Sequence, residues 1–404
     1  MNIFIIPSWY PNTISQISGI FFKEQALAIG ECRPDWKIAI SVWGQKEHAI
    51  SLSRLYSIIP LLVKYYSTKR ENSVRLIDNV IEYRKLVLEW QNTQLDLHHD
   101  GPLRASKVNL KRAMAEFGTI DLIHAHVSYP AGWIAMQLSK ETGIPYVITE
   151  HMGPFPFQPY LKRDGTLHKK LQGPLENAGA IIAVSPSLAT RIRSFGIENV
   201  TYIPNLVDER FFAPKLKTRN NYYYIFFTLG IFIKQKGIPD LLVAIKKFYS
   251  TLSLEDQSRV KFRIGGDGPE KEYIYKLAFE LGLDGKIEWL GLLSRESALQ
   301  EFQNCNCFVL TSRHETFGVV CAEAIACGKP LIATRCGGPE AIITPENGLL
   351  VEVGDSDQIT LAMTKMFNSS QCFNQNVIRS QFLKNFSREA VVSKLEEIYK
   401  KVVQ

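Results

Sequence analysis

Short apolar runs recur along the chain, each closed by turn residues and followed by a stretch of helical period. In the first half they are Ile3–Ile6, Lys37–Val42, Asp121–Ala125, Pro145–Thr149 and Ala180–Val184. Apolar runs without inside–outside alternation belong to strands covered on both faces, as in a parallel sheet, and the helical stretches between them read as crossovers. One of these, Ile20–Ile29, closes on Gly30. A second series starts at Tyr223–Leu229 and continues through Val260–Ile264, Lys286–Leu290, Phe308–Leu310 and Leu331–Thr334. The pattern predicts an α/β protein of two successive parallel-sheet domains, and 404 residues are ample for two cores.

Residues 46–118 interrupt this regularity. Leu52–Tyr66 mixes apolar and aromatic residues with Arg54 and Lys64, which fits either a membrane-surface segment or a buried helix pair broken at Pro60. Asp96-Leu97-His98-His99-Asp100 offers metal-ligand side chains without a recognisable chelating spacing, so no metal site is expected there. Asp355-Ser356-Asp357 precedes a helical stretch, where N-capping accounts for the acids better than metal binding does.

Composition is that of an ordinary soluble globular protein, with 46% hydrophobic and 22% charged residues. The net charge of +7 is unevenly spread. Residues 1–205 carry 22 basic against 17 acidic side chains, and the remainder carries 25 against 23. That excess suits an anionic membrane surface or a phosphorylated ligand and is too small for a nucleic-acid footprint. Seven cysteines without a C-x-x-C pair point to buried thiols and a reducing cytoplasm. Met1 leads into Ile3–Ile6 with no basic segment, which reads as a first strand and not a signal peptide. No run approaches the ~20 apolar residues of a membrane span.

The chemistry concentrates in Phe308–Glu340, which reads strand, loop, helix, strand. Glu315 stands in the loop and Glu323 about a turn into the helix. Between them the free N–H groups of the helix start favour an anion. Phosphate-binding amides flanked by two hydroxyl-binding carboxylates suit a nucleotide sugar. Spacing alone favours the plainer reading, a solvated loop acid at Glu315 and a surface helix acid at Glu323. Elsewhere, Gly19 stands just before a helix, where a missing side chain lets backbone approach a diphosphate. His126 and His151 each end a strand, where ligands of open α/β sheets gather. Either could instead be a satisfied structural histidine, and His126 is expected to be one.

The Glu315–Glu323 stretch resembles the E-x7-E signature of retaining glycosyltransferases of the GT-B fold, family 4. Further matches follow in family order: the Gly19 loop, Ile203-Pro204-Asn205-Leu206-Val207-Asp208, Lys236-Gly237, and Gly266-Asp267-Gly268-Pro269. The resemblance implies two Rossmann-like domains facing across a cleft. Residues 1–205 would form the acceptor-binding domain and 206–387 the nucleotide-sugar-binding domain, with a helix from about 388 returning to the first. It implies that Glu315 approaches the donor sugar hydroxyls, that Glu323 binds the ribose hydroxyls, and that Lys236 neutralises the diphosphate. Gly19, Gly266, Gly268 and the amides of Phe317, Gly318, Val319 and Val320 would line the donor, with His151 near its sugar. Glu315, Lys236 and His151 are thereby the catalytic candidates. No cofactor and no metal are implied; the donor is a nucleoside diphosphate sugar, with a lean toward UDP. The acceptor would be a saccharide or lipid-linked saccharide, used in cell-surface polysaccharide or glycoconjugate synthesis at the inner membrane face.

One position departs from the family. In Gly230-Ile231-Phe232-Ile233-Lys234-Gln235-Lys236-Gly237 the usual Arg after the first Gly is Ile231, which cannot bond an anion. Lys234 or another cation would then substitute, or the protein binds a nucleotide sugar without catalysis. A nucleotide-sugar epimerase on the same fold is a further alternative.

Overall fold

The computed structural model describes the chain except for residues 14, 16–17, 46–48, 52–57, 68–70, 92–99, 216–221 and 370–371. It divides into two compact units. The first comprises residues 1–184, 189–206 and 391–404, and the second comprises 185–188 and 207–390. Each is built on one twisted, mostly parallel sheet with helices on its faces, as the apolar runs predict.

In the first unit the strands are β1 (Asn2–Pro7), β2 (Lys37–Val42), β3 (Ala49–Ser51), β4 (Glu71–Ile77), β5 (Val80–Lys85), β6 (Glu89–Gln91), β7 (Leu122–His126), β8 (Tyr146–Glu150), β9 (Ala180–Ala183) and β10 (Val200–Tyr202). Eight of them form one sheet in the order β10-β9-β8-β7-β1-β2-β5-β4, and β3 pairs with β6 in a separate ribbon. All the pairings in the large sheet are parallel except β4 against β5, an antiparallel edge. Ile3, Phe4, Ile5 and Ile6 are all fully buried, because helices cover both faces of the central strand. On one face Ile3, Ile5, Leu122, Val147 and Ile182 pack with Ala26 and Ile29 of the helix Ile20–Cys32. Val391, Val392, Leu395 and Tyr399 of the helix Arg388–Val403 complete that core.

In the second unit β11 (Tyr224–Leu229), β12 (Val260–Gly265), β13 (Ile287–Gly291), β14 (Cys307–Leu310), β15 (Leu331–Thr334) and β16 (Gly348–Val351) are all parallel, in the order β13-β12-β11-β14-β15-β16. This is the order of a dinucleotide-binding sheet, with its reversal between β11 and β14. The core is aromatic: Phe226 stacks on Phe262 at 5.0 Å, and Phe248 meets Phe226 edge-on at 5.6 Å. Cys305 and Cys307 are buried there, and burial pushes both thiols up.

Of the stretch Leu52–Tyr66, residues 52–57 lie outside the described residues; the rest falls in one helix, Ile58–Ser67, with Pro60 in its first turn, where a missing N–H costs nothing. The helix is not buried on all sides, since Ile59 and Val63 are 74% and 63% exposed. Asp355 caps the helix Ser356–Asn368 as expected, accepting from the amides of Asp357 and Gln358. The His98-His99 segment lies outside the described residues. Among the described residues no helix is long and apolar enough to cross a membrane, and no cluster of metal-ligating side chains is present.

Candidate active site

Ligands of open α/β sheets bind beyond the carboxyl ends of the strands where the strand order reverses, because the two flanking loops diverge there and leave a crevice. In the second unit that place is flanked by the loops after β11 and β14. The structure ties these loops together. Thr311 Oγ1 donates to the carbonyls of Gly237 and Lys236 at 3.0 and 3.2 Å, and the Arg313 amide donates to Gln235 O at 2.7 Å. Gln235 Nε2 returns a bond to His314 O at 3.0 Å. Across this junction Lys236 Nζ lies 2.5 Å from Glu315 Oε1, with both side chains mostly buried. Ser312 Oγ donates to the same oxygen at 2.7 Å. Two candidates 79 residues apart are thus one ion pair.

The helix Val319–Ala326 begins directly after this loop. Gly318 occupies the N-cap and contributes no side-chain cap, and the first turn holds no acid. Its leading amides, Val319 and Val320 among them, have no intrahelical acceptor by geometry. Phe317 anchors the turn, buried and packed on Phe386 at 6.0 Å. Cys321, Ala322, Ala324, Ile325 and Ala326 are buried, so Glu323, half-exposed, is the helix's one acid and rises out of an apolar helix.

Gly266 and Gly268 serve the loop after β11 in another way. A Cβ on Gly266 would lie 1.9 Å from Gly230 O, so the two loops meet backbone to backbone. Their amides are already used: Gly266 N–H bonds Gly291 O at 2.8 Å, and Gly268 N–H bonds its neighbour Asp267 Oδ1 at 2.7 Å. Ile231 is 58% exposed beside them. Lys234 and Lys236 share a single 3-10 turn, whose threefold repeat sends residues two apart in different directions. Lys234 is exposed, away from the Lys236–Glu315 junction.

The first unit has the same reversal between β1 and β7. Pro7 pairs with His126, and Ser8 Oγ donates to His126 O at 2.8 Å. The loop after β1 ends at Gly19, whose φ is +66°, and a Cβ there would lie 2.5 Å from Trp9 O. Glycine is the residue that meets both demands. The helix it opens places Phe22 on His126, ring centroids 4.5 Å apart, and Phe21 against His151 at 5.2 Å. The structure therefore brings Gly19 and His151 into one neighbourhood.

His126 departs from the expectation of a satisfied structural residue. Its Nδ1 faces His151 Nε2 at 3.3 Å, while Nε2 is buried with no partner among the described residues. His124, two residues earlier on the same strand face, bonds Thr149 Oγ1 and Tyr399 Oη, each at 2.7 Å. Burial pushes the pKa of His124 and of His151 down to about 3, and that of His126 well below its usual value. All three imidazoles are neutral at pH 7. Val127, directly after His126, is a β-branched residue at φ +78°, a costly conformation held by its amide bond to Thr149 O and by the Gly132 amide on its own carbonyl.

Sequence reasoning missed Glu150, Ser312 and Tyr399. Glu150 is fully buried and accepts from the amides of Ser128, His151 and Met152 and from Ser128 Oγ. Burial nevertheless raises its carboxyl pKa. Its position beside His151 at a strand end was a usable signal. Ser312 stands only three residues before its partner Glu315, whereas Tyr399 carried no signal, since its partner His124 lies 275 residues away.

Comparison with known proteins agrees with this architecture. The chain matches the family Glycosyl transferases group 1 over residues 209–381 and Glycosyltransferase Family 4 over residues 83–211. It is 27% identical to N-acetyl-alpha-D-glucosaminyl L-malate synthase of Bacillus anthracis over 307 residues, 72% of this chain and 77% of that protein. Its fold is similar to that of sucrose-phosphate synthase from Thermosynechococcus elongatus, with a TM-score of 0.72 at 19% identity over 100% and 99% of the two chains. The Anabaena protein HepE, solved in complex with UDP-glucose, aligns with a TM-score of 0.65 at 17% identity over 99% of each chain. The chain belongs to the group 1, family 4 glycosyltransferases, on the GT-B fold.

Proposed function

We propose that this glycosyltransferase moves a hexosyl group from a UDP-sugar to a saccharide or lipid-linked saccharide, with retention of anomeric configuration. The observation that carries the reading is the Lys236–Glu315 pair beside the uncapped start of the helix Val319–Ala326. An ammonium has three donors, so Lys236 can keep Glu315 and still bond a β-phosphate oxygen. Negative charge growing on the departing diphosphate would be stabilised by Lys236 and by the helix-start amides, whose dipoles are fixed before reaction. Glu315 would hold sugar hydroxyls and Glu323 the ribose hydroxyls. Support for UDP comes from the UDP-glucose complex of HepE. No carboxylate is assigned as nucleophile, in keeping with front-face attack guided by the leaving phosphate.

A peripheral membrane role for the first unit is part of the same proposal. Ile59 and Val63, four residues apart on one helix face, are exposed, and residues 1–205 are net basic. Sedimentation with anionic liposomes tests it, and protein left wholly in the supernatant would remove it.

The exposed Ile231 favours a second reading, a nucleotide-sugar-binding protein without turnover. A thermal-shift screen of UDP-, GDP- and ADP-sugars, followed by NMR of the product formed on saccharide acceptors, separates the two. Stabilisation by a UDP-sugar with an α-linked product from an α-linked donor is expected. Stabilisation without donor hydrolysis or transfer would establish the second reading, and an inverted product would overturn retention.

A further inference from the structure

We infer that Ser312 is a positioning residue for donor binding: its hydroxyl fixes the Glu315 carboxylate so that one oxygen, Oε2, is kept for the ligand. This rests on the reading that Glu315 holds sugar hydroxyls, and every side chain involved lies in the second unit.

The two oxygens of Glu315 are not equivalent. Oε1 accepts from Lys236 Nζ at 2.5 Å and from Ser312 Oγ at 2.7 Å, whereas Oε2 has no partner among the described residues. A carboxylate is an acceptor only, so its bare oxygen is suited to the hydrogen of a hydroxyl or an N–H. Lys236 alone cannot set which oxygen that is. The terminal torsion of glutamate is broad and roughly twofold, and an ammonium on a flexible four-carbon stem follows whichever oxygen turns toward it. A second donor on a fixed mount removes that degeneracy.

Ser312 is such a mount, short and fully buried. Its carbonyl accepts from Thr334 Oγ1 at the end of β15. Its neighbours on either side are tied to the loop after β11, Thr311 Oγ1 to the carbonyls of Lys236 and Gly237 and the Arg313 amide to Gln235 O. The Glu315 backbone is held as well. Its amide donates to Cys336 O at 3.1 Å, and a Cβ on Gly337 would lie 2.9 Å from its carbonyl oxygen. With both backbones fixed, the Ser312–Glu315 bond settles the remaining torsions of the carboxylate. Lys236 can then share its hydrogens with a diphosphate without turning Glu315 away.

Ser312→Ala isolates this bond. It deletes only Oγ, because the Thr334 bond goes to the backbone carbonyl and the neighbouring ties use other groups. Calorimetry with UDP, and with the UDP-sugar that the thermal-shift screen selects, reads the sugar's share of binding. The proteins compared are the unchanged chain, Ser312→Ala, Glu315→Ala and the double variant. Ser312→Ala should weaken UDP-sugar binding roughly tenfold, the order of one hydrogen bond to a charged group, and leave UDP binding within about twofold. Added to Glu315→Ala it should change neither, because the bond it removes is already gone. Equal weakening of UDP and UDP-sugar by Ser312→Ala would show a structural role and overturn the inference. So would UDP-sugar affinity that is lost in Glu315→Ala and kept in Ser312→Ala, or a Ser312→Ala effect that persists without Glu315. If Glu315→Ala itself binds the UDP-sugar as tightly as the unchanged chain, the sugar reading of Glu315 has failed, and Ser312 positions nothing for the donor.

Discussion

Lys236 Nζ and Glu315 Oε1 lie 2.5 Å apart, joining the loop after β11 to the loop after β14 in a single ion pair. In the proposed function the two charges would serve different recognition tasks, diphosphate and sugar hydroxyls, and here they neutralise each other. Replacing Lys236 by Met should abolish donor-induced thermal stabilisation and lower kcat/KM on the order of 10²- to 10³-fold, the usual cost of removing one preorganised donor to developing charge. A Lys236→Met protein that still gains full thermal stability from the donor would take this lysine out of the phosphate site.

Ile231 offers the opposite test, a gain. It is exposed, so Ile231→Arg should leave folding stability within about 0.5 kcal/mol. One added charge-assisted hydrogen bond to the diphosphate is worth ~1.5–3 kcal/mol, about tenfold or more in Kd. Calorimetric titration with the UDP-sugar should show tighter binding, and weaker binding would remove this loop from the diphosphate.

Glu323 is assigned to the ribose hydroxyls, which gives it a readout independent of the sugar. The unchanged protein should prefer UDP to 2′-deoxy-UDP, and Glu323→Ala should bind the two alike, with UDP affinity lowered roughly 10- to 100-fold. Discrimination that survives the substitution would assign the ribose elsewhere.

Tyr399 Oη and His124 Nδ1 share a buried bond of 2.7 Å between the C-terminal helix and β7. In Tyr399→Phe the imidazole nitrogen keeps its burial and loses its partner. A loss of ~1–3 kcal/mol is expected, read as a lower urea midpoint for the first unit. An unchanged midpoint would mean that solvent reaches His124 in the variant.

Stability should also fall with acid. His124, His126 and His151 are neutral when folded, with pKa values pushed down by burial, to about 3 for His124 and His151. Unfolded, each takes a proton near pH 6.5. Below that pH the unfolded chain binds more protons, so each histidine removes up to about 1.4 kcal/mol of stability per pH unit down to its folded pKa. The stabilisation is complete above pH 6.5. Glu150, whose carboxyl is raised, acts with opposite sign just above its ordinary range. Urea midpoints at pH 7 and pH 5 should differ in this direction, and His126→Asn should flatten the difference by one histidine's share. A midpoint independent of pH would show that these rings are protonated in the fold.

The loop and edge region 46–118 was the least legible part of the sequence, and the reason is physical. β4 is an antiparallel edge strand with four of its seven residues polar or charged, and Ile58–Ser67 leaves Ile59 and Val63 exposed. Neither has the two-sided burial that writes an apolar run into sequence.

The sequence by itself determined the two sheets, since strand stretches such as Ile3–Ile6 and residues 331–333 are buried on both faces and are apolar throughout. It also marked the candidate loops, because glycine at a positive φ and acids near a helix start are local requirements. The pairings were decided only in three dimensions. Lys236 meets Glu315, His126 meets His151, and Tyr399 meets His124 across 275 residues because the sheet order sets which strand ends are neighbours. Hydrogen bonds act over about 3 Å, and sequence separation carries no information about that distance.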